Sequence, residues 1–136
     1  METQIIKIII VDDNKTFLES LDFFLRKNSA YKIINRAYNG EQALKMEDIH
    51  KADIILMDIE MPNIDGIEAT KRLLRENNKL KVIALTNYEE KAYLRDLIVS
   101  GFKGCVFKKN TFDQLENAIQ KVLNGGMFFP ENLIDG

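Results

Sequence analysis

The stretch that most restricts how this chain can fold is Ile54-Ile55-Leu56-Met57-Asp58-Ile59-Glu60-Met61-Pro62-Asn63-Ile64-Asp65-Gly66. Four apolar residues run directly into a carboxylate, and Pro62 breaks the chain shortly after. A short, continuously apolar run bounded by turn residues is the pattern of a strand buried on both faces. Asp58 then falls at the strand's C-terminal end, the edge where open α/β sheets place their ligand crevice. Pro62 cannot continue a ladder and keeps Met61 extended, so a tight loop follows. Asp65-Gly66 opens the next helix, with Asp65 placed to cap it. Asp58 alone would be read as an aspartate that merely ends a strand. The rest of the chain overturns that.

Four further strands and five helices are predicted from the pattern. Ile5 to Val11 is a β-branched run ended by Asp12-Asp13-Asn14, and a helix to about Lys27 follows from Phe17, Leu18, Leu21, Phe24 and Leu25 at 3.6-residue spacing. Tyr31 to Tyr38 is the second strand, closed by Asn39-Gly40, and Glu41 to about Ile49 a short helix. The strand Asp53 to Met57 leads to a helix over about 65–77, and Leu80 to Leu85 is the fourth strand, ending at Thr86-Asn87. A helix over about 89–100 carries the stripe Tyr93, Leu94, Leu97 and Ile98 and stops at Gly101. The stripe is slightly wider than one buried face needs, so part of it is a candidate interface. Gly104 to Phe107 is the fifth strand, and the last helix begins at Thr111 as N-cap, with Phe112, Leu115, Ala118, Ile119, Val122 and Leu123 on its inner face. Strands alternating with helices imply an α/β fold, a doubly wound five-stranded parallel sheet covered on both sides. Residues 1–124 are expected to form this domain, with 125–136, after Asn124-Gly125-Gly126, a tail or linker.

Composition excludes several functions. A net charge of −2 and a pI near 5.5 argue against a nucleic-acid or membrane surface on this segment. No apolar run approaches the roughly 18 residues of a membrane span, and no signal peptide opens the chain. The single cysteine, Cys105, rules out an internal disulfide and fits a reducing cytoplasm.

The chemistry gathers at the strand ends. The first strand supplies Asp12 and Asp13, the third Asp58, the fourth Thr86 and the fifth Lys108. In a doubly wound sheet these positions share one edge. Crowded carboxylates raise one another's pKa values unless a cation neutralises them. An oxygen-only ligand set suits Mg2+. Thr86 offers a hydroxyl and Lys108 a compact charge, parts suited to holding phosphoryl oxygens. An ionised aspartate can itself be the nucleophile, giving an aspartyl phosphate.

Taken in order, the Asp12-Asp13 pair, Asp58 in Leu-Met-Asp-Ile-Glu-Met-Pro, Asp65-Gly66, Thr86 after Ile-Ala-Leu, and Lys108 resemble the receiver domain of bacterial two-component response regulators. The resemblance covers residues 5 to about 124. It implies a flavodoxin-like (βα)5 fold with strand order 2-1-3-4-5, a topology the chemotaxis regulator exemplifies. It also implies that Asp58 accepts phosphate from a sensor histidine kinase. Asp13, Asp58 and the Glu60 backbone carbonyl would ligate Mg2+, with Asp12 acting through a bound water. Lys108 would pair with the phosphoryl group, and Thr86 would swing toward it. Such a module catalyses only its own phosphorylation and dephosphorylation. The segments Ser100-Gly101-Phe102-Lys103-Gly104, Lys108-Lys109-Asn110-Thr111-Phe112 and Asn124-Gly125-Gly126-Met127-Phe128-Phe129-Pro130 further resemble the LuxR-type transcriptional regulators. That narrower resemblance implies phosphorylation-dependent homodimers and a C-terminal helix-turn-helix output domain that binds DNA.

Three positions leave the family pattern. Cys105 stands where the family has a Tyr or Phe that moves with the threonine, and a cysteine packs as a small hydrophobe. Phe102, Phe107 and Tyr88 are the aromatics considered as its substitute. Asn87 replaces a small residue beside Thr86. Tyr88 and Glu60 occupy positions that, by the resemblance, tune attack of water on the acyl phosphate. His50 and Lys109 are read as solvated neighbours. Two other functions compete. A haloacid-dehalogenase-type phosphatase would carry its nucleophile on the first strand in an Asp-x-Asp motif, whereas here the candidate is on the third. A receiver uncoupled by Cys105 and Asn87 would bind partners constitutively without switching.

Overall fold

The computed structural model describes residues 4–130. Five strands, β1 (Ile6–Val11), β2 (Tyr31–Ala37), β3 (Ile54–Asp58), β4 (Val82–Thr86) and β5 (Gly104–Phe107), form one sheet in the order β2-β1-β3-β4-β5. Every pairing is parallel, as the alternation predicts. Five α-helices connect them: α1 (Lys15–Arg26), α2 (Gly40–Lys45), α3 (Gly66–Glu76), α4 (Lys91–Val99) and α5 (Thr111–Leu123).

The two-residue period of the strands divides the interior into two cores. Ile8, Ile10, Ile54, Leu56, Ile83, Leu85 and Val106 face α1 and α5, where Leu18, Leu21, Leu25, Leu115 and Ile119 meet them. Ile9, Val11, Ile55, Met57, Val82 and Ala84 face the other way, against Ala43, Ala69, Leu73, Leu94 and Leu97 of α2, α3 and α4. Burial on both faces explains why β3 and β4 read as unbroken apolar runs.

Gly101 and Gly66 are each required by the backbone. Gly101 closes α4 at φ 104°, a left-handed conformation that costs glycine little. Gly66 opens α3 directly against the end of β3, where a Cβ would strike the Asp58 carbonyl oxygen and stand 2.8 Å from the Ile59 Cα. The Gly66 amide donates to the Ile59 carbonyl at 2.9 Å, and Asp65 caps the helix by accepting the Glu68 amide at 2.9 Å. The Asp65-Gly66 pair thus presses α3 onto the strand that carries Asp58.

Several expectations are corrected. The second helix is α-helical only over Gly40–Lys45; Met46 is extended (ψ 115°), and a 3-10 turn, Glu47–Lys51, follows. That tighter turn brings Ile49 into the core before the chain returns to β3. Thr111 is the first residue of α5 and not its cap: its hydroxyl donates to the Lys108 carbonyl at 2.8 Å. Phe112 is not on the inner face; it is 51% exposed and meets Phe24 edge-on at 5.0 Å. Of the segment expected as a tail, Phe128 forms a parallel bridge with Gly104, its carbonyl accepting the Cys105 amide at 2.7 Å. Residues 131–136 lie outside the described residues.

Because its contacts are backbone atoms that cannot rotate away, Gly66→Ala is expected to cost roughly 1 to 3 kcal/mol in chemical denaturation, the range of overpacked sites. An unchanged midpoint would show that α3 is not locked against β3.

Candidate functional site

The site is assembled from the ends of β1, β3, β4 and β5. Asp12 follows β1 and is fully buried; its amide donates to the Ala37 carbonyl at 3.0 Å. Its Oδ1 accepts the Asn14 amide at 2.8 Å, and the Asn14 side chain in turn caps α1 by accepting the Phe17 amide at 3.0 Å. Asp13 faces solvent. Asp58 ends β3 at 1% exposure, its Oδ1 accepting the Glu60 amide at 3.3 Å. One carboxylate oxygen from each of Asp12, Asp13 and Asp58 lies within 4.8 Å of the others. The convergence expected from strand order is therefore present.

Lys108 closes the group. Its Nζ stands 3.1 Å from Asp12 Oδ2 and 3.2 Å from Asp58 Oδ1. Asp12 Oδ2 has no hydrogen-bond partner among the described residues, so its contact with Lys108 is ionic without hydrogen-bond alignment. The ammonium also lies 4.7 Å from the centroid of the Phe17 ring. Lys109 turns away and pairs with Glu89 at 2.9 Å, and His50 meets Glu76 at 3.5 Å, both away from the site as expected.

Three carboxylates face one ammonium. Two like charges about 5 Å apart cost roughly 3 kcal/mol at an effective dielectric near 20. Burial first, then the Asp12 charge, push Asp58 up to about 8, with Lys108 pulling the other way. At Lys108, burial opposes the charged form, but Asp58 and Asp12 outweigh it and hold the amine above its ordinary value. Such a cluster suits a divalent cation bound through oxygen.

The loop after β4 forms the other wall. Thr86 is fully buried, and its hydroxyl oxygen accepts the Tyr88 amide at 3.0 Å. The Asn87 side-chain amide donates to Glu60 Oε1 at 3.3 Å, a strap between the loops after β3 and β4. The Glu60 charge pushes the Tyr88 phenol up, and the Tyr88 ring stands edge-on to Tyr93 at 5.1 Å. Cys105 is a buried free thiol, pushed up to about 12 by burial and so unsuited to redox chemistry. Among its considered substitutes, Phe102 is a core residue, Phe107 is half-buried and Tyr88 is exposed. The sequence pattern places Asn14 at the end of the first strand and Phe17 and Tyr93 in apolar helical stripes, with no site role for any of them. Asn14 directly follows the acidic pair, but the other two look like any core position of an amphipathic helix.

An acid whose pKa is raised on folding favours the native state below its unfolded value and loses that contribution as pH climbs through the folded one. For Asp58 the window runs from 3.8 to about 8. In metal-free buffer, Asp58→Asn should therefore gain stability over the wild type as pH rises across that window. The gain should reach on the order of 1 to 3 kcal/mol, as expected when a buried polar group sheds its desolvation penalty. Thermal melts at several pH values check this, and a pH-independent difference would contradict it.

Comparison with known proteins gives this geometry its context. Residues 8–120 match the family profile described as the response regulator receiver domain. The chain is 30% identical over 123 residues to the transcriptional regulatory protein DegU of Brevibacillus brevis, covering 90% of this chain and 52% of that protein. It is 34% identical over 128 residues to the transcriptional regulatory protein LnrK of Bacillus subtilis (strain 168), covering 94% and 58% respectively. The chain thus spans between half and three-fifths of the length of these relatives. Among solved structures, a LuxR-family two-component response regulator from Aurantimonas sp. SI85-9A1 superposes with a TM-score of 0.89 at 22% identity, over 97% of this chain and 94% of that one. The isolated REC domain of RcsB from Salmonella enterica serovar Typhimurium, in the presence of phosphomimetic BeF3-, gives 0.84 at 23%, over 97% and 98%. The strand order, the acidic cluster beside Lys108 and the matched profile agree, and the phosphatase alternative is set aside: the chain belongs to the response regulator receiver domain family, whose function is phosphorylation-based switching in two-component signalling.

Proposed function

We propose that Asp58 is the phosphoacceptor of this receiver and that it takes its phosphoryl group from a phosphohistidine on a sensor histidine kinase. The observation that carries this assignment is the buried Asp58 carboxylate, set between Lys108 and the Asp12-Asp13 pair at the open edge of the sheet. As the P–O bond to an Asp58 oxygen forms, the donor's P–N bond breaks. The chain itself catalyses nothing beyond gaining and losing this group.

The residues present fit a magnesium ion. All donors are oxygens, Asp13 opens to solvent, and Asp12 Oδ2 is buried without a hydrogen-bond partner among the described residues. Asp13, Asp58 and the Glu60 carbonyl would hold the ion, with Asp12 acting through a bound water. Bound there, it supplies charge neutralisation for the carboxylates and the transferring phosphoryl oxygens. Lys108 then exchanges part of its carboxylate pairing for a phosphoryl oxygen, and the Thr86 hydroxyl turns from the Tyr88 amide to donate to another. Glu60, Asn87 and Tyr88 line the mouth and set how readily water reaches the acyl phosphate. Cys105 serves as packing.

Phosphate at Asp58 biases a two-state surface around α4 and β5. DegU and LnrK are transcriptional regulators of which this chain matches 52% and 58%. Residues 1–124 accordingly act as the switch, and 125–136 lead toward a helix-turn-helix output domain that binds DNA as a phosphorylation-dependent homodimer. No helix among the described residues is long and apolar enough to cross a membrane, in keeping with work in the cytoplasm.

Intact mass after incubation with a small acyl phosphate and Mg2+ should show one added phosphate, absent from Asp58→Asn. Chelating the metal should abolish labelling. Asp13→Asn should cut it by at least the roughly 10- to 100-fold that even outer-shell partners of a metal cost. Labelling that survives Asp58→Asn would overturn the assignment.

A further inference from the structure

Tyr93, in the first turn of α4, carries a hydroxyl that the described protein leaves without a partner although the atom is buried. Buried phenols normally find one, because an unpaired polar atom in the interior costs free energy. Around this hydroxyl are Thr86, the Glu60 and Asp65 carboxylates and the Cys105 thiol. Burial pushes the phenol up to about 12, so it keeps its proton and remains a donor at any physiological pH. The Thr86 side chain is near enough to offset part of that burial as a hydrogen-bonding neighbour, yet the two hydroxyls do not reach the geometry of a formed hydrogen bond.

Thr86 has the capacity to meet this donor. A threonine hydroxyl has one hydrogen to give and two lone pairs that accept. One lone pair is used by the Tyr88 amide at 3.0 Å. Turning away to give its hydrogen to a phosphoryl oxygen releases that lone pair and leaves both free to accept. Tyr93 is already restrained for such a contact: its ring packs against the core shared by Cys105 and Leu97, and Tyr88 stands edge-on to it at 5.1 Å. A larger residue at 105 would compete for this space, and the small thiol leaves it to the tyrosine.

We infer that Tyr93 is a positioning residue of the switch: when Asp58 is phosphorylated, its hydroxyl donates to Thr86, completing a hydrogen-bonded chain from the phosphoryl oxygen through Thr86 to α4. Each link strengthens the next, because a hydroxyl that donates becomes a better acceptor. The state of Asp58 is thereby conveyed to the helix through a tyrosine on α4, and not through an aromatic side chain on β5. The inference rests on Asp58 as phosphoacceptor and on Thr86 as the group drawn to it.

The test uses the whole chain with 3-fluorotyrosine at its four tyrosines, followed by fluorine NMR while acyl phosphate and Mg2+ are added and intact mass reports labelling. Tyr93→Phe identifies the resonance and should label at Asp58 within about twofold of wild type, since ring packing is kept. On phosphorylation the Tyr93 resonance should shift in the wild type and in Thr86→Ser, which retains the hydroxyl, but not in Thr86→Ala. A labelled protein whose Tyr93 resonance stays in place overturns the inference, and so does an equal shift in Thr86→Ala. Absence of label on wild-type Asp58 would overturn both this inference and the phosphoacceptor assignment, and the mass measurement separates the two failures.

Discussion

The candidate site depends on one ammonium group held between two buried carboxylates. A parallel sheet delivers the ends of all its strands to one edge, so Asp12 and Asp58 arrive as neighbours whether or not their charges tolerate it. Lys108, carried in by β5, stands 3.1 Å from one and 3.2 Å from the other. It offsets only part of the repulsion, because it pairs with two of three clustered carboxylates, and Asp58 remains pushed up to about 8. The site is thus short of positive charge in a place where water cannot supply it. That deficit makes the same residues a weak point for stability and suits them to a cation.

The geometry around this group is set by local caps and close backbone contacts more than by the core. Asn14 links the Asp12 carboxylate to the start of α1, and Asp65-Gly66 seats α3 against the carbonyl of Asp58. Loops held in this way can keep side chains in register while remaining accessible, which is why functional residues collect on them. The loop after β4 is held more lightly, by Thr86 to the Tyr88 amide and Asn87 to Glu60. Its side-chain contacts can exchange without disturbing the sheet.

A backbone path also runs from the site toward the C-terminus. Cys105, three residues before Lys108, donates its amide to the Phe128 carbonyl, and Phe128 returns its own amide to Lys103 at 3.0 Å. The segment after the double glycine therefore lies along β5, the strand that leads into Lys108.

By itself the sequence determined the sheet and its edge. Unbroken apolar runs in β3 and β4 demand burial on both faces, helical periodicity between them demands crossovers, and together these place Asp12, Asp13, Asp58, Thr86 and Lys108 at one end. Asp65-Gly66 could be read as a cap because capping is local chemistry. Tertiary structure alone decided what depends on distant contacts. The second helix broke at Met46 because Ile49 had to reach the core, and Phe112 turned outward because Phe24 of α1 offered it an edge. Phe17 and Tyr93 look in sequence like ordinary members of apolar stripes. One lies under an ammonium and the other carries an unpaired hydroxyl beside a threonine, because packing set them against residues far away in the chain. A hydrophobic pattern records which face of a helix is buried, but not which polar atom it will meet there.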